Sequence, residues 1–223
     1  MAINYAGNKK YFKELIWKPA AIVGAIGLIA CAIDPLIGGI GLVIAAGLIG
    51  MQVVGKSSAQ SLDQQCQEAI AGIKEKALQK LGIDEDQVTE ISPIFFDGYA
   101  FNNFEDPYFK KEGNRWRSSN YEAAAFFFSA EQVYCYKFIL SLTQNSTKES
   151  TEEYFYKDIV AAATQSDIFS HKEGKNSISI KHEFFQLTTS GGTSISASFR
   201  DHVQAERSIN GMKQLLRAKK SAN

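Results

Sequence analysis

The sequence predicts an α+β chain: a helical hairpin of membrane type, an amphipathic helix, then seven antiparallel strands closed by a C-terminal helix. Three observations predict it. Residues 19–54 form an apolar, Gly- and Ala-rich run whose one charge, Asp34, is followed directly by Pro35. From about Ile91 the apolar period changes from the helical 3.6 to the strand value of 2. Residues 201–220 return to a helical stripe with a basic end.

The N-terminal segment 1–18 reads as a basic lead carrying Lys9, Lys10, Lys13 and Lys18. The apolar run follows it. A helix that crosses the hydrocarbon layer needs about 20 residues. Residues 35–54 supply that length, and residues 19–33 approach it when Leu15, Ile16 and Trp17 are added. Proline removes a backbone donor and disfavours helix in the residue before it. A carboxylate at mid-bilayer costs roughly 3 kcal/mol on insertion scales. One straight span would bury both Asp34 and Pro35 at its centre, whereas a hairpin places them in a turn at the far face. The hairpin is therefore the expected form. Glycines and alanines allow close helix approach where no hydrophobic effect drives association, and they favour packing against further copies.

Lysines flank both ends of the run, with Lys56 on the far flank, while the turn holds only Asp34. The positive-inside rule then places both termini in the cytoplasm, with the protein at the cell membrane. Trp17 stands where an interfacial aromatic anchor belongs. Three alternatives share the pattern: a buried hairpin in a soluble protein, a hairpin entering one leaflet only, and a signal peptide cleaved near Ala30-Cys31-Ala32.

Residues 55–90 form the link to the rest. Within them Leu62, Cys66, Ile70, Ile73, Ala77 and Leu81 recur at helical spacing and Gly82 ends the pattern, predicting one amphipathic helix over 57–81. The segment 91–223 then holds candidate strands at 94–101, 115–119, 123–129, 132–140, 152–164, 177–189 and 193–200. Gly191-Gly192 predicts a hairpin turn within TTSGGTS. Val203, Ile209, Met212 and Leu216 form the stripe of the closing helix. Strand alternation predicts that at least one aromatic of FFF (126–128) and of YFY (154–156) points outward, unless the 57–81 helix covers it.

The strand pairs EQVYCYKFILSLTQNSTKESTEEYFYKDIVAAAT and FFQLTTSGGTSISASFRD, followed by AERSINGMKQLLRAKK, carry a family resemblance. Over roughly 91–220 the chain resembles the bacterial pleckstrin-homology-like (PH-like) domains of membrane-tethered proteins. The resemblance implies a seven-stranded antiparallel barrel capped by a C-terminal helix, used for scaffolding, membrane-associated assembly or ligand docking. It brings no catalytic residues. In such domains the loop between the first two strands is where inositol phosphates bind, when they bind. Here that loop holds Lys110, Lys111, Arg115, Trp116 and Arg117, the candidate phosphate or lipid contacts. Arg and Lys give charge-assisted hydrogen bonds to phosphate, though Glu105, Asp106 and Glu112 dilute the local charge.

Little else points to chemistry. With 24 basic and 24 acidic residues the chain has no field to attract nucleic acid. Cys31, Cys66 and Cys135 are scattered and include no CxxC, which argues against a disulfide framework and a zinc site. His171, His182 and His202 read as solvent-facing side chains, and Cys135 as core. No nucleophile–base pair, phosphate loop or metal motif is present, so no cofactor is expected. The expected function is a non-enzymatic, membrane-anchored scaffold or interaction protein. Its partners would be the bilayer, further copies in a homo-oligomer and another protein. The alternative is a secreted effector that inserts a two-lobed hairpin into a target membrane.

Overall fold

The fold is described from a computed structural model covering residues 2–101, 107–173 and 176–221. Glu105 and Asp106, named above as diluting charges, lie outside the described residues.

The N-terminal lead is not a free tail. It contains helix α1 (Tyr5–Phe12), started by the Asn4 side chain, which accepts a hydrogen bond from Gly7 N at 3.0 Å. Asn8, Tyr11 and Phe12 of α1 are buried. The apolar run then forms two helices, α2 (Lys18–Cys31) and α3 (Pro35–Val53), packed against each other. Asp34 is the N-cap of α3, its carboxylate accepting from Leu36 N at 2.8 Å, with Pro35 in the first turn. The expected hairpin and its turn are thus observed. Leu15, Ile16 and Trp17 are not helical, so the first arm is 14 residues and does not gain their length.

The two arms meet through glycine. A Cβ at Gly27 would lie 3.1 Å from the carbonyl oxygen of Gly38 and from backbone atoms of Gly41 and Leu42. The hairpin's outer surface is apolar and open: Ile33 is 85% exposed, Leu36 76% and Val43 73%.

The expected single helix over 57–81 is two helices, α4 (Ala59–Ile70) and α5 (Ile73–Leu81), with the break at Ala71-Gly72. Gly72 is a poor helix former, and the apolar spacing runs through the break undisturbed, so periodicity alone could not reveal it. Gly82 ends α5 in the left-handed conformation at φ +67°, as its type allows.

Among the described residues nine strands follow, where seven were expected. One sheet has the order β1 (Ile94–Tyr99), β4 (Asn120–Phe128), β5 (Gln132–Ser141), β6 (Thr147–Phe155). A second has β7 (Ile159–Glu173), β8 (Asn176–Thr189), β9 (Ser194–Ser198). The extra strand β2 (Phe109–Glu112) pairs with β3 (Arg115–Ser118) as a separate hairpin inserted between β1 and β4. The expected strand 152–164 is split by a 3-10 turn at Tyr156–Asp158, which carries the chain from the first sheet to the second. All pairings are antiparallel. The β8–β9 turn has Gly192 at φ +83°, as expected for TTSGGTS.

The expected barrel is not closed. No hydrogen-bonded ladder joins β1 to β9 among the described residues. The backbones do come close there, since a Cβ at Gly98 would sit 3.1 Å from Phe199 N. Side chains join the sheets instead. The buried Glu122 carboxylate accepts from Ser198 N at 2.6 Å and pairs with Lys137 Nζ at 2.9 Å. Lys137 in turn donates to Ser196 O at 2.6 Å.

The first sheet is covered on both faces. Phe96, Phe126, Phe128 and Cys135 pack against Phe185, Leu187 and Ile195 of the second sheet and against helix α6 (His202–Ser221). On the other face Phe127, Tyr136 and Leu140 pack against Tyr11, Leu62, Cys66 and Ala77 of the N-terminal helices. All three of Phe126, Phe127 and Phe128 are therefore fully buried, and every residue of β4 is buried. Of YFY, only Phe155 is exposed. Helix α6 buries Ala205, Ile209, Met212 and Leu216, whereas Val203 of the expected stripe is exposed because, two residues before Ala205 and six before Ile209, it falls on the opposite side of the helix.

Candidate functional site

Polar groups are arranged at accessible surface both at the base of the hairpin and in a cleft beside the β2–β3 hairpin.

At the base, α1 and the chain returning from α3 are bound together. Ser57 N donates to Gly7 O at 3.1 Å, and a Cβ on Gly7 would lie 2.5 Å from Gly55 O. Lys10 Nζ donates to Met51 O and Val54 O, each at 2.8 Å. These are orphan carbonyls at the C-terminal end of α3, where a cation also suits the helix dipole. Ile16 N donates to Gln52 Oε1 at 2.8 Å, and Gln52 Nε2 donates back to Ile16 O at 3.1 Å. Entry and exit strands of the hairpin are thus fixed side by side against one folded body. Asn8, 0% exposed, ties α1 to that body by donating to Gln65 Oε1 and to Leu142 O, both at 2.9 Å. Trp17 is exposed at the foot of α2, and Asp34 and Pro35 stand at the opposite end, in the turn.

The basic candidates of the β2–β3 hairpin divide by face. Register places Lys110 opposite Arg117 and Glu112 opposite Arg115, so these four share one face. Arg117 is buried and makes a bidentate pair with Asp63 of α4, Nε to Oδ1 at 3.1 Å and NH2 to Oδ2 at 2.7 Å. Its fork is thereby occupied. Lys110 Nζ donates to Tyr11 O at 3.0 Å and lies 4.2 Å from the Tyr11 ring, capping the end of α1. Lys111 and Arg115 are exposed, and Trp116 is half-buried with Lys111 Nζ 6.0 Å from its ring centre. The structure therefore brings together the chain neighbours Arg115 and Trp116 at a cleft, and directs Lys110 and Arg117 to helices α1 and α4.

Around Asp63 the electrostatics follow from burial and pairing. Burial acts to raise its carboxyl, but the Arg117 hydrogen bonds, the Tyr99 hydroxyl at 2.6 Å and nearby positive charge outweigh it and hold it below the ordinary value. Burial, then the Glu112 hydrogen bond at 2.7 Å, raises the Tyr11 hydroxyl. A second network joins Asp97 to Tyr121, to Gln67 Nε2 at 3.2 Å and to Arg200 Nε at 2.8 Å.

The cleft, about 370 Å³, lies between the β2–β3 hairpin, β8, α4 and the β9–α6 junction. Arg115, Trp116, Lys181, His182, Arg200 and His202 contribute to its walls. His202 Nδ1 is 3.1 Å from Glu183, and Arg200 is engaged by Asp97 and Gln67. His182 contradicts the expectation of a solvent-facing side chain. Its ring lies between Phe101 (5.4 Å) and Phe184 (5.3 Å), and both ring nitrogens are buried without a hydrogen-bond partner among the described residues. Burial pushes its pKa down, with Asp167 and Glu122 opposing, so the ring is neutral at pH 7. Alternation could have signalled this, since His182 shares parity with Ile180 and Phe184. Asp63 and Tyr99 carried no such signal. Among the described residues no group of three His, Cys, Asp or Glu side chains converges as a metal-ligand set. Cys66 and Cys135 are fully buried, and burial raises both thiols, as core cysteines require.

Comparison with known proteins finds no family model, no curated protein and no solved structure that matches the chain.

Proposed function

We propose that the chain is a non-enzymatic, membrane-anchored interaction protein. In this reading α2 and α3 enter the bilayer from one side as a hairpin, and the β domain remains on that side. It works there as a PH-like module for protein contact and self-assembly. One observation carries the reading: the outer surface of α2–α3 is almost wholly apolar and open, while both its ends are bound to the same folded body. In water, exposing so many large aliphatic side chains costs about 25 cal/mol per Å² relative to burial. In a bilayer the same surface is matched. Because α1 and Ser57 are joined at the base, entry and exit lie on one side, as a hairpin requires.

The charge distribution gives the direction. Lys9, Lys13, Lys18 and Lys56 gather at the base and only Asp34 at the turn, which favours a cytoplasmic base. Support for the PH-like assignment is the division into four and three strands followed by a C-terminal helix on the shared core.

The test is fractionation of cells producing the full chain, followed by a carbonate wash of the membranes. The chain is expected to stay in the pellet until detergent is added, and a version lacking residues 19–54 is expected to leave it. Full-length chain released by carbonate would overturn the anchor.

A further inference from the structure

We propose that the cleft beside the β2–β3 hairpin is a binding site for a small planar anion, an aromatic ring bearing a carboxylate or similar group. This goes beyond the membrane reading and does not depend on it.

Three features of the cleft argue for such a ligand. The first is charge. Arg115 and Lys181 make no ion pair or hydrogen bond among the described residues; of the carboxylates that line the cleft, Asp63 is paired with Arg117 and also feels the charge of Arg115, and Glu183 lies 3.1 Å from His202 Nδ1. The wall therefore has more cationic than anionic side chains, Arg115, Lys181 and Arg200 against Asp63 and Glu183, in a chain whose total charge is zero. A guanidinium and an ammonium facing a partly enclosed space bind an anion by charge-assisted hydrogen bonds. The second is the unmet polar capacity of His182. A neutral imidazole carries one N–H donor and one acceptor, and both nitrogens here are buried without partners. Leaving such groups unmet costs about 1–3 kcal/mol, which an oxygen-bearing ligand would relieve on turning the ring edge, closed to solvent in the free protein, toward the cleft. Phe101 and Phe184 cover the ring, so hydrogen bonding is left to its edge. The third is shape. The half-buried Trp116 and Phe101 contribute apolar surface to the cleft, which suits an aromatic ring. At about 370 Å³ the space lies at the lower end of the range for small-molecule sites. An anion without a ring would leave the apolar walls wet, and a neutral ring would leave Arg115 and Lys181 unmatched.

The test uses the full chain in non-ionic detergent, titrated by calorimetry with naphthalene-2-sulfonate and with its neutral counterpart, naphthalene-2-sulfonamide. The wild type is expected to take up one sulfonate saturably, with the sulfonamide at least about tenfold weaker. The double variant R115A/K181A changes two exposed side chains and should remove that preference, leaving sulfonamide binding unchanged. His182→Phe keeps the ring stack, removes both nitrogens and should weaken the sulfonate severalfold with the near-ultraviolet circular dichroism intact. Absence of saturable binding to the wild type, equal binding of the two probes, or full sulfonate affinity in R115A/K181A would each overturn the proposal. Unchanged affinity in His182→Phe would show that an ordered water, rather than a ligand, satisfies the imidazole, and would refute the site as drawn.

Discussion

Replacing Asn8 by alanine tests whether the N-terminal segment is part of the folded body. Asn8 is wholly buried, and its amide donates to Gln65 Oε1 and Leu142 O at 2.9 Å each. Its own oxygen accepts from Gln65 Nε2 at 3.4 Å. Gln65 keeps other partners in the variant, Asn4 N at 2.8 Å and Ser61 Oγ at 3.1 Å, so its loss is partial. The Leu142 carbonyl is left with none of the side-chain donation it had. One stranded buried acceptor and one weakened amide come to about 2–3 kcal/mol, a factor of roughly 30–150 in the folding equilibrium. With a urea dependence of about 2 kcal/mol per molar, the midpoint should fall by about 1–1.5 M. The assay is urea unfolding of the full chain in non-ionic micelles, followed by near-ultraviolet circular dichroism. Because α1 carries Lys10, which caps the end of α3, trypsin should also cut faster at Lys13 in the variant. A midpoint within a few tenths molar of wild type, with unchanged cleavage at Lys13, would refute the placement of α1 on the sheet.

Three further outcomes are expected. The folded-state pKa of Asp63 is depressed by Arg117, so its contribution to stability is present above the unfolded carboxylate value and lost as pH falls through the folded one. Wild-type stability should therefore decline below about pH 4 more steeply than that of Asp63→Asn, which should be the less stable at pH 7; parallel profiles by thermal melting would contradict this. Gly27→Leu should force α2 and α3 apart, since even a Cβ there meets backbone at 3.1 Å, whereas a Cβ at Gly39 meets nothing within 4 Å, which makes Gly39→Leu the control. Cellular half-life should drop for the first and not for the second, and equal half-lives would count against the packing. The arms of 14 and 19 residues measure about 21 and 28 Å, against about 30 Å of hydrocarbon. In a Cys31→Ala background, Asp34→Cys should react with a membrane-impermeant maleimide added outside intact cells, since Cys66 and Cys135 are buried and silent. No labelling from either side of the membrane would mean that the hairpin stops within one leaflet.

Local chemistry made the hairpin legible. Asp34-Pro35 in an otherwise apolar run leaves few solutions, because proline breaks the helix and the carboxylate caps the next one. The turn at Gly191-Gly192, the end at Gly82 and the core face of α6 were readable for the same reason: each depends on neighbours in sequence. Periodicity shows which positions need a partner and is silent about which partner arrives. Strand β4 has no alternation because helices cover one face and the second sheet the other, a fact about elements far apart in the chain. The same distance explains the basic candidates. Lys110 and Arg117 looked equivalent to Arg115 until Tyr11 and Asp63, 99 and 54 residues away, came within hydrogen-bond reach. By itself the sequence determined the apolar hairpin, the order of the main strands and the closing helix, because these follow from backbone chemistry and local patterning. The tertiary structure alone decided that the N-terminal segment belongs to the domain, which cations remain available, and that His182 is enclosed without partners. Those outcomes depend on long-range packing, which brings together groups with no relation in sequence.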